Sequence, residues 1–231
     1  MTSIAANLQA VRERIAAACL AVGRPADSVF LLAVSKTWSS SAVRDAASAG
    51  QVAFGENYVQ EALDKIAALP ELSLEWHFIG PLQSNKTRAV AENFAWVHSV
   101  DRLKIAERLA AQRPAGLPPL NVCLQVNVSG EASKSGCAPS EAPALAAAIA
   151  HLPGLRLRGL MTIPEPTDDA TLQRRRFASL RETLASISAQ TGSRLDTLSM
   201  GMSDDLEAAI MEGASIVRIG TAIFGQRNYT T

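Results

Sequence analysis

The sequence predicts an α/β fold: a single (β/α)8 TIM-type barrel with an extra N-terminal helix. Three observations lead there. Eight short apolar runs alternate with helical patterns, which implies a parallel sheet joined by helical crossovers. Eight such repeats in a chain of 231 residues match the size of a closed barrel. No G-x-G-x-x-G follows the first run, where an open dinucleotide-binding sheet would need it.

Ile4, Leu8, Val11, Ile15 and Cys19 recur at helical spacing, so residues 3–22 form an amphipathic helix ended by Gly23 and Pro25. The strand candidates follow in order: SVFLLAV, VAFGEN, EWHFIG, AWVHSV, LNVCLQVNV, LRLRGLMTI, LDTLSMG and SIVRIGTAIFG. Helical patterns separate them: SSSAVRDAASAG, NYVQEALDKIAAL, SNKTRAVAEN, DRLKIAERLAAQR, PSEAPALAAAIAHL, DDATLQRRRFASLRETLASISAQ and SDDLEAAIMEG. The Pro-containing stretches at 113–120 and 163–169 are too short to divide the chain, so residues 1–231 are expected to form one domain.

Twenty-two basic residues balance twenty-two acidic ones, so no overall field attracts nucleic acid or an anionic membrane. Four arginines, Arg174, Arg175, Arg176 and Arg181, spread around one helix and predict a solvated outer face. Arg12, Glu13 and Arg14 interrupt the apolar N-terminal segment, which excludes a signal peptide or membrane span there. The three cysteines, Cys19, Cys123 and Cys137, form no C-x-x-C pair and read as reduced thiols; no metal site is expected, and the chain reads as cytoplasmic.

Chemistry in this architecture sits at the C-terminal ends of the strands. Of five lysines, Lys65 and Lys104 fall within helical patterns and read as solvated helix-face charges. Lys36, Lys86 and Lys134 lie at or beyond strand ends, and Lys36 follows an apolar run that would hold its stem near the barrel mouth. Desolvation there lowers an ammonium pKa and favours the neutral amine, which attacks carbonyls. Snorkelling at a strand end is the simpler alternative.

The loops after strands seven and eight commonly bind phosphate in this fold. Here they carry Ser203 and Asp204 in LSMGMSDDLEAAI, and Gly220 and Thr221 in VRIGTAIFG. An amine beside a phosphate site suits either a sugar phosphate in a class I aldolase or pyridoxal 5′-phosphate. Arg218, inside an apolar strand, is costly to bury unless its donors are satisfied. A structural salt bridge would satisfy it; so would the ring nitrogen of a pyridoxal cofactor.

The segments AVSKTW, FGENYVQEALDK, WHFIGPLQSNK, SKSGC, RGLMTI, LSMGMSDDLEAAI and VRIGTAIFG together resemble the pyridoxal phosphate homeostasis protein family, a relative of the alanine racemase N-terminal barrel. They run in order from residue 31 to residue 225. The resemblance implies that Lys36 holds pyridoxal 5′-phosphate as a Schiff base and that Asn57 lies near its ring. It also implies that Ser199, Gly201, Ser203, Gly220 and Thr221 hold the phosphate, and that Arg218 meets the pyridine nitrogen.

Racemisation needs two acid/base groups on opposite faces of the substrate carbon. Lys36 offers one, whereas Tyr58 reads as a packing residue at a helix start and Tyr229 lies in the tail. The expectation is a non-enzymatic carrier or buffer of pyridoxal 5′-phosphate that maintains vitamin B6 homeostasis, with a low-activity amino-acid racemase as the alternative. Expected partners are the cofactor and pyridoxal-dependent apoenzymes that accept it. Neither nucleic acid nor membrane is expected, and the chain reads as a monomer. His77, in EWHFIG, reads as a hydrogen-bonded core histidine.

Overall fold

The computed structural model describes residues 3–131, 135–192 and 194–226; Lys134 and Tyr229 lie outside them. Eight parallel strands, β1 (Phe30–Val34), β2 (Ala53–Glu56), β3 (Glu75–Phe78), β4 (Trp96–Val100), β5 (Leu120–Gln125), β6 (Leu155–Met161), β7 (Thr197–Ser199) and β8 (Ile216–Ile219), close into a barrel. They pair in sequence order, and the seam is the β1–β8 ladder, in which Leu32 lies opposite Arg218. Each of the eight runs expected from the sequence contains one strand.

The helices are α1 (Ile4–Ala21), α2 (Ser40–Ser48), α3 (Val59–Ala68), α4 (Thr87–Asn93), α5 (Leu103–Gln112), α6 (Ala142–Ala150), α7 (Ala170–Thr191), α8 (Leu206–Met211) and α9 (Thr221–Phe224). The Ser3 hydroxyl caps α1 by accepting the Ala6 N–H at 3.2 Å, and Leu8, Val11, Ile15, Ala18 and Cys19 form its buried face. The eighth apolar run is shorter as a strand than its pattern suggests. β8 stops at Ile219, and the chain turns at Gly220 into the four-residue α9.

Strand alternation sorts the apolar residues into two layers. Ala33, Phe54, Phe78, Val97 and Val122 join the large core between sheet and helices. Each fully buried phenylalanine there contributes roughly 1.5–3 kcal/mol through transfer from water. Inside the barrel the apolar residues form two small separate groups: Leu32, Val34, Ala53, Ile79 and Ile216, and Trp96, Cys123 and Met161. Buried His77, His98, Ser199 and Arg218 lie on strands of the same barrel.

All three cysteines are buried and unpaired. Burial pushes the Cys123 thiol up to about 12 and the Cys137 thiol up to about 11, which makes both poor nucleophiles at neutral pH. Among the described residues no helix is long and apolar enough to cross a membrane, and no cluster of His, Cys, Asp or Glu could hold a metal. The arginines of α7 are less uniformly solvated than their spacing predicts. Arg174 and Arg181 both pair with the buried Glu212, and Arg176 pairs with Glu165.

Candidate functional site

Lys36 stands two residues beyond β1, and the backbone on either side of it is tied down. The Ser35 N–H donates to the Gly55 carbonyl (3.0 Å), and Ser35 Oγ donates to Glu56 Oε1 (2.6 Å). Lys65 Nζ donates to the Ser35 carbonyl (2.7 Å), Glu56 Oε1 (2.7 Å) and Glu61 Oε1 (2.6 Å). Glu61 Oε1 also accepts the Thr37 N–H at 2.5 Å. Thr37 itself has φ of 69°, a left-handed conformation that a β-branched residue adopts only under tertiary constraint. The anchored flanks restrict where the Lys36 side chain can start from.

Lys65 therefore corrects the expectation of a solvated helix-face charge: its side chain is 5% exposed and its Glu56 partner 0%. Ala62 and Lys65 are the buried residues of α3, one turn apart on its inward face, so the ammonium is carried inward to the Ser35 carbonyl and Glu56. Burial pushes the Glu56 carboxyl up, and the Lys65 ammonium opposes that rise.

Asn57 follows β2 and approaches β3's exit closely. A Cβ on residue 80 would lie 2.3 Å from the Asn57 carbonyl oxygen, so only glycine fits there. The side-chain Oδ1 of Asn57 is buried without a hydrogen-bond partner among the described residues.

The loops after β7 and β8 are cross-linked. Ser203 Oγ accepts the Ala222 N–H at 3.3 Å, and the Gly201 carbonyl accepts the Arg218 N–H at 2.9 Å. Gly201 has φ of 95°, and a Cβ there would stand 2.6 Å from that of Ala209. The N-cap of α8 is Asp205, whose Oδ1 accepts the Met202 N–H at 2.6 Å; Ser203 and Asp204 precede it. From outside, α1 holds both loops. Arg14 donates to the Ser203 carbonyl (3.1 Å) and pairs with Glu207, while Asn7 Nδ2 donates to the Ile223 carbonyl (2.8 Å).

Arg218 projects into the barrel and is 3% exposed. Nη1 donates to Ser199 Oγ (2.8 Å) and Nη2 to the Thr162 carbonyl (2.9 Å). Neither contact is to a carboxylate, so neutral oxygens replace the structural salt bridge that the strand position suggests. Burial lowers the guanidinium pKa to about 10, which leaves it cationic at neutral pH.

These elements enclose a cavity of about 180 Å³ at the C-terminal mouth of the barrel. Of the eight sequence-predicted site residues, Lys36, Asn57, Ser203, Arg218, Gly220 and Thr221 line it, together with Val34, Ile79, Ile163, Met202 and Asp204. Ser199 and Gly201 do not. Ser199 is fully buried behind Arg218, and Gly201 shapes the turn instead of facing the cavity. Larger hollows exist along α7 (about 640 Å³) and at the N-terminal mouth (about 300 Å³), but neither contains a lysine. Tyr58 is 57% exposed and absent from the cavity lining, so it is not the packing residue its position suggests.

The cavity is smaller than the roughly 300–1,000 Å³ of pockets that enclose drug-sized ligands. It combines an amine, a buried cation, an unpartnered amide oxygen and two cross-linked turns. Residues 2–228 match the sequence profile of the alanine racemase N-terminal domain family. The chain is 66% identical to the pyridoxal phosphate homeostasis protein of Pseudomonas aeruginosa PAO1, with 99% of this chain and 98% of that one covered. The chain belongs to the pyridoxal phosphate homeostasis protein family.

The family member of Escherichia coli K12 is 55% identical over 100% of this chain and 99% of its own length. Among solved structures, PipY of Synechococcus elongatus PCC7942 with pyridoxal phosphate bound is 38% identical, with a TM-score of 0.85 over 96% of this chain and 100% of that one. Alanine racemase of Streptomyces coelicolor A3(2), at 24% identity and a TM-score of 0.74 over 97% of this chain and 58% of that one, shares the fold.

Proposed function

We propose that the chain binds pyridoxal 5′-phosphate at the C-terminal mouth, as a Schiff base on Lys36, and carries or buffers it for enzymes that need it, without robust catalysis of its own. The observation that carries this reading is the convergence of Lys36, Arg218, Ser203 and Thr221 on one cavity of about 180 Å³ at the C-terminal mouth. PipY, similar over its whole length and solved with pyridoxal phosphate bound, supports that cofactor as the ligand. When bound, the cofactor supplies an aldehyde that condenses reversibly with amines and a ring that can take up electron density.

The chain's own residues then have distinct tasks. The Glu56–Lys65–Glu61 clamp fixes the backbone from which Lys36 reaches the aldehyde. Asn57, a cavity residue whose Oδ1 is buried without a partner among the described residues, would offer an acceptor to the ring and its substituents. Ser203, Gly220 and Thr221 would hold the phosphate, and Arg218, which lines the same cavity, would meet the ring nitrogen. Arg218, which stays protonated, would donate to that nitrogen and leave it without a proton, so the bound ring would be a weaker electron sink.

A carrier is favoured over a racemase because Lys36 is the amine at the cavity while Tyr58 is outside its lining and turned to solvent. The acceptor apoenzymes belong to the same proposal. The test is the visible spectrum of purified protein titrated with pyridoxal 5′-phosphate. Wild type is expected to develop an imine band that Lys36→Ala lacks. Retention of the band in Lys36→Ala removes the assignment of the lysine. Solvent deuterium entering the α-carbon of alanine at enzyme-like rates replaces the carrier with a racemase.

A further inference from the structure

Arg218 is one end of a hydrogen-bonded chain that crosses the barrel interior. Its Nη1 reaches Ser199 Oγ at 2.8 Å, Ser199 Oγ reaches His98 Nδ1 at 2.7 Å, His98 Nε2 reaches His77 Nδ1 at 2.9 Å, and His77 Nε2 reaches Glu75 Oε1 at 2.8 Å. Ser199, His98 and His77 are buried, and Glu75, at the start of β3, opens onto the hollow at the N-terminal mouth. The chain therefore joins the two ends of the barrel.

Its direction is forced by what each group can do. A guanidinium only donates, so Ser199 Oγ accepts from Arg218; a hydroxyl can accept twice, so the other links are set from the far end. The Glu75 carboxylate only accepts, so His77 carries its proton on Nε2 and donates it there. With that ring neutral, His77 Nδ1 accepts from His98 Nε2, and with the His98 ring also neutral its Nδ1 accepts the Ser199 hydroxyl proton. Reversing a link while both rings stay neutral would require Glu75 to donate. Burial disfavours a charge on either imidazole and keeps both rings in these single neutral tautomers. The His77 ring is further held between Phe30 and Trp96, with interplanar angles of 19° and 7°.

We propose that Ser199, His98 and His77 are positioning residues for Arg218. They form a one-directional chain anchored on Glu75 that holds the guanidinium in one orientation toward the cavity. The role rests on the reading that Arg218 meets the ring nitrogen of pyridoxal 5′-phosphate. It reassigns Ser199, which the sequence places at the phosphate, to the opposite side of the arginine. The second guanidinium contact, from Nη2 to the Thr162 carbonyl, holds the other end of the fork while the Ser199 contact holds Nη1. A core histidine pair serving only to fill space would not need an arginine and a carboxylate at its two ends.

The test has two arms. In the cofactor-free protein, ¹⁵N spectra of the histidines at pH 7 should show both buried rings neutral with the proton on Nε2. A proton on Nδ1 of His98 or a cationic ring overturns the chain, whatever the protein binds. In the second arm, pyridoxal 5′-phosphate is titrated into variants. Ser199→Ala and His98→Leu are each expected to weaken binding about tenfold, the scale of one hydrogen bond to a charged group, and to shift the visible band. His98→Asn places an oxygen as many bonds from Cα as Nδ1 and should recover most of the affinity and the wild-type band. Should His98→Leu not fold, Ser199→Ala reads the same link at the cost of one atom. Wild-type affinity and spectrum in Ser199→Ala overturn the proposal. Failure of wild-type protein to bind the cofactor overturns the reading of the site, and the histidine spectra then decide the chain independently.

Discussion

Behind Lys36, an ammonium and two carboxylates crowd against one turn of backbone; behind Arg218, three neutral groups in single file separate a cation from a carboxylate at the other end of the barrel. Both arrangements restrain one cationic side chain at the cavity. The first works through the main chain, fixing Ser35 and Thr37 on either side of the lysine. The second works through the side chain itself and leaves the guanidinium little freedom. The difference suits the two tasks proposed for them. An amine that must condense with and release an aldehyde needs reach, whereas a donor to a ring nitrogen needs a fixed direction.

The two networks should also fail differently. Lys65→Met leaves Glu56 buried without its counter-charge and is expected to lower stability by about 3–5 kcal/mol in urea denaturation. Adding Glu56→Gln should recover a large part of that loss, because the cost comes from the stranded charge. A single-variant loss below about 1 kcal/mol would mean that water or protonation of Glu56 compensates for the lost ammonium, and the contrast between a charged and a neutral network would weaken.

The histidine chain should show itself in pH dependence. Both imidazole pKa values lie below the roughly 6.5 of an unfolded chain, so the unfolded state takes up protons first as pH falls. The stability from these neutral rings is therefore present above about pH 6.5 and is lost as pH drops from there toward the folded values. The slope is at most about 1.4 kcal/mol per pH unit for each ring. His98→Asn should remove one ring's share of the slope between pH 6.5 and 5.5, measured by denaturation at each pH. An unchanged slope would show that His98 already carries a proton in the folded protein.

The smallest effect is expected at Thr37. Glycine relieves the left-handed backbone at a cost in chain entropy, and the two terms are of similar size. Thr37→Gly should change stability by no more than about 1 kcal/mol. If the clamp alone orders this turn, the imine band on Lys36 should persist; loss of the band would assign part of the ordering to the threonine.

Most of the barrel was legible because strands buried on both faces read as apolar runs, and because an amine at a strand end stands out in a chain with five lysines. The Lys65 clamp was legible in part: Ala62 and Lys65 share a helical face, but the charge of Lys65 argued against following that spacing inward. The histidine chain was not legible. It depends on which positions of β3, β4, β7 and β8 point inward and on how the strands stagger across the barrel, which one strand's pattern does not contain. Ser199 lies between the two cases. The sequence places it correctly on β7, but a strand of three residues carries too little alternation to tell an inward side chain from one at the rim.

The first helix is an addition to the eightfold repeat, yet Asn7 and Arg14 grip the turns after β8 and β7 from the outer side. The spacing of those turns is thus set from a segment with no strand of its own. Substitutions along that outer brace would move the turns proposed to hold an anionic tail while every barrel residue stayed the same.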